Sequence, residues 1–328
     1  MVIPPSDART SRPSSSITRL RDFARLAGLV SFFCAAQAYG ACTLSPVTTA
    51  MPMTVTQGRL YVPVTMNDVD GSFMLDTGAE FTLLGPDFAA RAHAGIDVKA
   101  GRDNGRLQLS GAGGRGTVTL NEAHVRETKI GGIAFPDWEY PVLPPSAASV
   151  MPGGRDGLLG MDFLHYFDLD LDFKAGTLKL WRLSGCTDIH PTWQGDYDSI
   201  PLKHTGHQGV TMPIFIDNAF LDVQFDTGAG SLLLSRDAAA AAGVTDAMLA
   251  ADPPANNAGI GGGFPAVMHQ FQLLLIGSRQ FHKPVITVET ERHRTGYGDG
   301  LLGLRFLQPT KIWLSYATNT LFMQYAGK

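Results

Sequence analysis

Two stretches of this chain end an apolar run on the same three residues. Ser72-Phe73-Met74-Leu75-Asp76-Thr77-Gly78-Ala79 is echoed by Val223-Gln224-Phe225-Asp226-Thr227-Gly228-Ala229. A carboxylate, a hydroxyl and a glycine in that order place an acid where a buried strand enters a tight turn, and glycine lets the backbone fold back without a Cβ penalty. At average residue usage, one such triplet falls by chance in roughly a tenth of chains this long. Two copies in matching context are therefore a signal. Two carboxyl groups held within a few ångströms cannot both ionise. One pKa is driven up and the other down, and the pair keeps one proton over a wide pH range.

The elements around the motifs repeat as well, and a repeat sets the architecture before anything else does. Gly58-Arg59-Leu60-Tyr61-Val62-Pro63-Val64 opens the first half as an alternating strand, and Gly209-Val210-Thr211-Met212-Pro213-Ile214 opens the second. Asp87 and Asp237 are placed as N-caps of alanine-rich helices (Phe88 to Ala94, Ala238 to Ala242) that Gly95 and Gly243 close. Glycine clusters follow, Gly111-Ala112-Gly113-Gly114-Arg115-Gly116 and Gly259-Ile260-Gly261-Gly262-Gly263. Next come the turns Ile130-Gly131-Gly132 and Ile276-Gly277-Ser278, then the pairs Pro141-Val142 and Pro284-Val285. Asp156-Gly157-Leu158-Leu159-Gly160 and Asp299-Gly300-Leu301-Leu302-Gly303 each lead into a short helical piece and a final hairpin.

Asp-Thr-Gly-Ala, a glycine-rich hairpin and a later apolar-apolar-Gly run resemble the retropepsin-like aspartic proteases, in a bacterial form with two such units fused in one chain. The resemblance spans nearly all of residues 58–328. It implies an all-β fold: two homologous β-barrel lobes related by a pseudo-two-fold axis, with few short helices. Both loops would then meet at the floor of one cleft without dimerisation. It implies that Asp76 and Asp226 are the catalytic pair, the ionised member activating a water and the protonated one serving the carbonyl oxygen and the leaving nitrogen. Thr77 and Thr227 would bond across to the opposite loop, and Gly78 and Gly228 would turn their amides to the carboxylates. Ala79 and Ala229 lack the hydroxyl that pepsins carry after the glycine, so the pair should titrate higher and work at mildly acidic to near-neutral pH. The glycines Gly111, Gly113 and Gly114, with Gly259, Gly261 and Gly262, would form substrate-binding flaps. Glu80 and Gly230, at equivalent positions beside the pair, would give the two sides subsites of different charge.

The expected function is an exported aspartic endopeptidase acting on extended peptide or protein substrates. The alternative class is a catalytically silent peptide- or protein-binding module that keeps the fold, and the intact triplets favour the enzyme. Gly111 to Gly116 also satisfies a dinucleotide fingerprint, but it runs into the strand-like Thr117-Val118-Thr119-Leu120 rather than a helix. No cofactor and no metal are expected. Asp168-Leu169-Asp170-Leu171-Asp172 reads as a solvated strand face, and His204 and His207 as surface residues.

The chain of 328 residues is 44% hydrophobic, enough for two domains each burying its own core. A net charge of −4 without a basic run argues against nucleic acid as a partner. Residues 1–40 follow the order of a secretory signal peptide: Arg19, Arg21 and Arg25, an apolar stretch from Leu26 to Ala36, then small residues with cleavage near Ala38 or Gly40. That apolar stretch is too short for a stable membrane span in the mature chain. Residues 41–57 form a mature N-terminal segment, 58–184 the first lobe, 185–200 a linker and 201–328 the second lobe. The expected location is periplasmic or secreted. In an oxidising compartment Cys42 and Cys186 would pair; the other reading makes Cys42 a lipid-anchored first residue.

Overall fold

The computed structural model describes residues 42–97, 108–109, 118–150, 156–186, 188–205, 209–259, 262–291, 297–308 and 310–325. Strands make up most of them, joined by five α-helices of four to six residues and one 3₁₀ segment, Pro145–Val150. Residues 1–40, the expected signal peptide, lie outside the described residues.

Each half starts with an antiparallel pair. Arg59–Met66 runs against Val69–Leu75 with Val62 opposite Phe73, and Val210–Ile216 runs against Ala219–Phe225 with Met212 opposite Val223. The tight turns between them use left-handed Asn67 and Asp68 (φ 48° and 64°) and Asp217 (φ 46°), residue types that tolerate that region. Gly157–Leu159 and Gly300–Leu302 then come back parallel to Val69–Leu75 and Ala219–Phe225. Two carboxylates pin these returns: Asp156 Oδ2 accepts from Ser72 N and Asp299 Oδ2 from Asp222 N, both at 2.8 Å. The Asp-Gly-Leu-Leu-Gly repeat is thus the element that braces each motif strand from the side.

A seven-stranded sheet joins the halves. Its central pairing is antiparallel, between Asp168–Asp172 of the first half and Thr310–Ser315 of the second, with Asp170 opposite Trp313 and Asp172 opposite Lys311. The apolar core is continuous through this sheet: Leu75, Leu169, Leu171, Phe225, Ile312 and Leu314 belong to one buried cluster, not one core per half.

Several expectations change. Asp168 and Asp170 are 2% and 8% exposed, so the acidic strand is not a solvated face. Asp168 accepts from Trp313 Nε1 at 3.1 Å and from Tyr316 N at 3.1 Å, tying one half to the other. The acids and the Lys311-Ile312-Trp313-Leu314 stretch are partners across one sheet, which a linear comparison of the repeats cannot show. The helices run Pro86–Arg91 and Arg236–Ala241, with Asp87 and Asp237 in their first turns rather than at the caps. Gly85 caps the first, where Pro86 has no N–H to satisfy; Ser235 caps the second, its hydroxyl accepting from Ala238 N. Gly243 is left-handed after the second helix (φ 96°), while His93 (φ 49°) does that work in the first half and Gly95 begins a strand. Pro141-Val142 and Pro284-Val285 are not equivalent, since Val142 pairs with Leu84 whereas Val288, not Val285, pairs with Leu234. The end of the linker is a strand, Asp198–Pro201, on the edge of the shared sheet. Cys42 and Cys186 form a disulfide that fastens the first described strand, Thr43–Pro46, beside Thr177–Ser184.

Candidate active site

Each Asp-Thr-Gly turn hangs from its strand and is stitched to the Leu-Leu-Gly run of its own half. Asp76 N donates to Leu159 O at 3.0 Å and Asp226 N to Leu302 O at 3.1 Å. Past the turn, Met161 N donates to Ala79 O at 2.9 Å and Leu304 N to Ala229 O at 3.0 Å. The loops are therefore fixed at both ends before they meet.

The threonines join them reciprocally. Thr77 N donates to Thr227 Oγ1 at 3.1 Å, and Thr227 N to Thr77 Oγ1 at 3.0 Å. Each hydroxyl passes its own proton to the strand opposite, Thr77 Oγ1 to Phe225 O at 2.9 Å and Thr227 Oγ1 to Leu75 O at 2.7 Å. Both side chains are fully buried, so these bonds compete with no bulk water.

This clamp sets the carboxylates. Gly78 N donates to Asp76 Oδ1 at 3.0 Å, while Gly228 N and Ala229 N donate to Asp226 Oδ1 at 2.7 and 3.0 Å. The two carboxyl groups lie within hydrogen-bonding reach of each other. Each also lies on the glycine of the opposite loop. A Cβ at Gly78 would stand 2.5 Å from Asp226 Cγ, and one at Gly228 would run into the Asp76 carboxylate. Glycine is required here for clearance between the halves.

Burial raises the pKa of both acids, and Asp226 the more strongly. Beyond desolvation, Asp226 feels the negative charge of Asp76. Asp76 is held lower by the amides of Gly78 and Ala79, by its bond to Asp226 and by the charge of Arg59. The pair titrates as a unit and shares one proton.

The surroundings are not symmetric. Beside Ala79 lies an apolar cluster of Tyr61, Met74, Leu83, Leu120, Leu143 and Leu158. Beside Ala229 lie Leu233, Phe264, Tyr297 and Leu301. Tyr297 donates its hydroxyl to Glu289, an acid only 1% exposed. Glu289 follows Val288 as Leu143 follows Val142, so a buried acid replaces a leucine at one register position.

Other predicted residues are spread out. Gly259 pairs with Gly262 (φ 123°) at the end of the hairpin Pro254–Gly259/Gly262–Gln270. Gly111, Gly113, Gly114, Gly261 and His207 lie outside the described residues. Glu80 O accepts from Asp162 N and Gly230 O from Arg305 N, both at 3.0 Å. His204 is exposed and bonded to Asn319. Among the described residues no group of three or more His, Cys, Asp or Glu side chains could hold a metal ion, and no helix is long and apolar enough to cross a membrane. A separate concavity of about 260 Å³, against His165, Tyr166, Trp181 and His204, contains neither Asp76 nor Asp226.

Sequence reasoning missed two residues. Asp162 Oδ1 accepts from Thr82 N and Thr82 Oγ1 at 2.9 and 2.7 Å, and Thr82 Oγ1 accepts from Gly160 N at 3.1 Å, bracing the first loop from below. Arg59 reads in the sequence as one more strand residue, although a cation at the head of an apolar strand is a signal. It faces Gly230: a Cβ there would stand 2.5 Å from Arg59 Nη1.

The architecture is nearly all-β with few short helices, its two halves joined by a shared sheet. Residues 62–163 match the family model described as aspartyl protease, a span that includes Asp76 and ends before Asp226. Among solved structures, the crystal structure of Basic 7S globulin from soybean is similar over 86% of this chain and 95% of that one, at 11% identity and a TM-score of 0.47. No curated protein sequence matches the chain.

Proposed function

We propose that the protein is an exported aspartic endopeptidase, built from two retropepsin-like units in one chain, with Asp76 and Asp226 as its catalytic pair. The observation that carries this reading is the reciprocal threonine clamp, which holds two carboxyl groups in mutual contact with an amide donor on each. Asp76, ionised, takes a proton from a water placed between the two acids as that water attacks the amide carbon. Asp226, protonated, donates a hydrogen bond to the carbonyl oxygen and keeps its proton. The proton gained by Asp76 then serves the leaving nitrogen, and the pair ends with one proton, as it began. An extended peptide is held by backbone hydrogen bonds in the manner of strand addition. The Cys42–Cys186 disulfide supports export to a periplasmic or extracellular space, since cytosolic thiols stay reduced.

Digestion of a mixed peptide library, with and without pepstatin, tests the reading. Wild type should cleave, while Asp76→Asn and Asp226→Asn, each checked for native circular dichroism, should lose at least about a thousandfold in kcat. Turnover undiminished in either variant removes the mechanism. Both acids are raised from the ordinary carboxylate range, so the pH–rate profile should peak at mildly acidic to near-neutral pH. A maximum below pH 3 contradicts that.

A further inference from the structure

The two catalytic loops differ four residues past the aspartate, where the first has Glu80 and the second Gly230. The space that a side chain at 230 would fill is taken by the guanidinium of Arg59. Its Nη1 would be 2.5 Å, and its Cζ 3.7 Å, from a Cβ built there. Arg59 leaves the hairpin turn at Gln57 and Gly58, where both residues are left-handed (φ 52° and 69°), and pairs with Thr56. Its backbone belongs to the first half and its head lies on the loop of the second.

Among its described residues, the second half offers no counterpart. Arg59 stands three residues before Val62, and Gly209 three before Met212, the matching positions of the two opening strands. At that end Gln224 reaches toward the Gly78 carbonyl, its Nε2 donating at 3.4 Å. Among the described residues, a glycine and not a cation thus stands at the matching position of the second half.

Arg59 has a charge and five N–H donors in a rigid fork. Among the described residues it has no carboxylate partner, and its one hydrogen bond is from Nη1 to Gly58 O at 3.2 Å. It is half-buried, and its charge reaches Asp76. A partly desolvated guanidinium with spare donors, beside a catalytic loop that supplies only a glycine, fits an anion brought by something else.

We propose that Arg59 is a specificity-determining residue that binds a substrate carboxylate on the Gly230 side of the catalytic pair. The preferred substrates, on the proteolytic reading above, are peptides that present an acidic side chain or a free C-terminal carboxylate there.

Matched peptides with Glu or Gln at each position flanking the scissile bond, and matched peptides ending in a free carboxylate or an amide, separate the two carboxylate sources. Wild type should favour the carboxylate at one position by about tenfold or more in kcat/KM, carried mainly by KM, as a charge-assisted hydrogen bond gives. Arg59→Ala should bring the ratio to about one, and Arg59→Lys should keep part of it. Gly230→Asp, which sets an internal carboxylate against the guanidinium, should also abolish it with Arg59 still present. Equal handling of Glu and Gln, and of acid and amide termini, at every position overturns the proposal, as does a preference that survives Arg59→Ala. The inactive Asp76→Asn protein, titrated with the same labelled peptides by fluorescence anisotropy, separates this claim from proteolysis. An Arg59-dependent preference in binding upholds the site even where wild type cleaves nothing.

Discussion

The threonine clamp makes a quantitative claim. Thr77→Val keeps the side chain's shape and removes its oxygen. Two buried partners are left without that oxygen, the Thr227 amide that donates to it at 3.0 Å and the Phe225 carbonyl that accepts from it at 2.9 Å. A buried group left unsatisfied costs about 1–3 kcal/mol, and a carbonyl can retain a second partner, so the sum is about 2–4 kcal/mol. Thr77→Ser keeps the oxygen and loses one methyl, which costs about 1 kcal/mol. The two variants should therefore differ by about 2 kcal/mol, or on the order of 3 °C in melting temperature for a chain of this size. Calorimetry and urea unfolding measure the difference. Thr77→Val should also lower kcat at least about tenfold through misplaced carboxylates. A matching Thr227→Val should add less than its own single effect, since both changes break one network. If Thr77→Val and Thr77→Ser unfold within about 0.5 kcal/mol of each other, the loops are held by something else.

Three further outcomes follow from the same geometry. Asp226 binds its proton more tightly folded than unfolded, so its contribution falls as pH rises from the unfolded value of 3.8 through the raised folded one; Asp226→Asn should be inactive yet about 1 kcal/mol more stable than wild type at pH 7, with the gain vanishing below about pH 4 in melting curves. Gly78→Ala puts a methyl 2.5 Å from Asp226 Cγ and should cut kcat about a hundredfold by prying the carboxyl groups apart, whereas Ala79→Gly leaves their contact in place. Replacing Cys42 and Cys186 by serine opens a loop of 144 residues and should lower stability by about 2–4 kcal/mol in denaturant unfolding, without changing the pH–rate profile.

The sequence alone determined what depends on neighbours in the chain. An apolar run ending in Asp-Thr-Gly fixes a strand and a turn, and its recurrence after 150 positions, Asp76 to Asp226, fixes the repeat and the candidate acids. Gly131 and Gly277 marked hairpin turns because a left-handed residue is a local demand, and both are left-handed (φ 57° and 56°). What the linear pattern could not decide was pairing between distant residues. The alternation in Asp168–Asp172 reads the same whether its acids meet water or the Trp313 indole, and only the antiparallel register across the shared sheet buries them. Arg59 and Gly230 lie 171 positions apart in the sequence, and each alone is unremarkable. Their contact, like the raised titration of the Asp76–Asp226 pair, comes from packing one half on the other, because charge and volume act through space while periodicity acts along the chain.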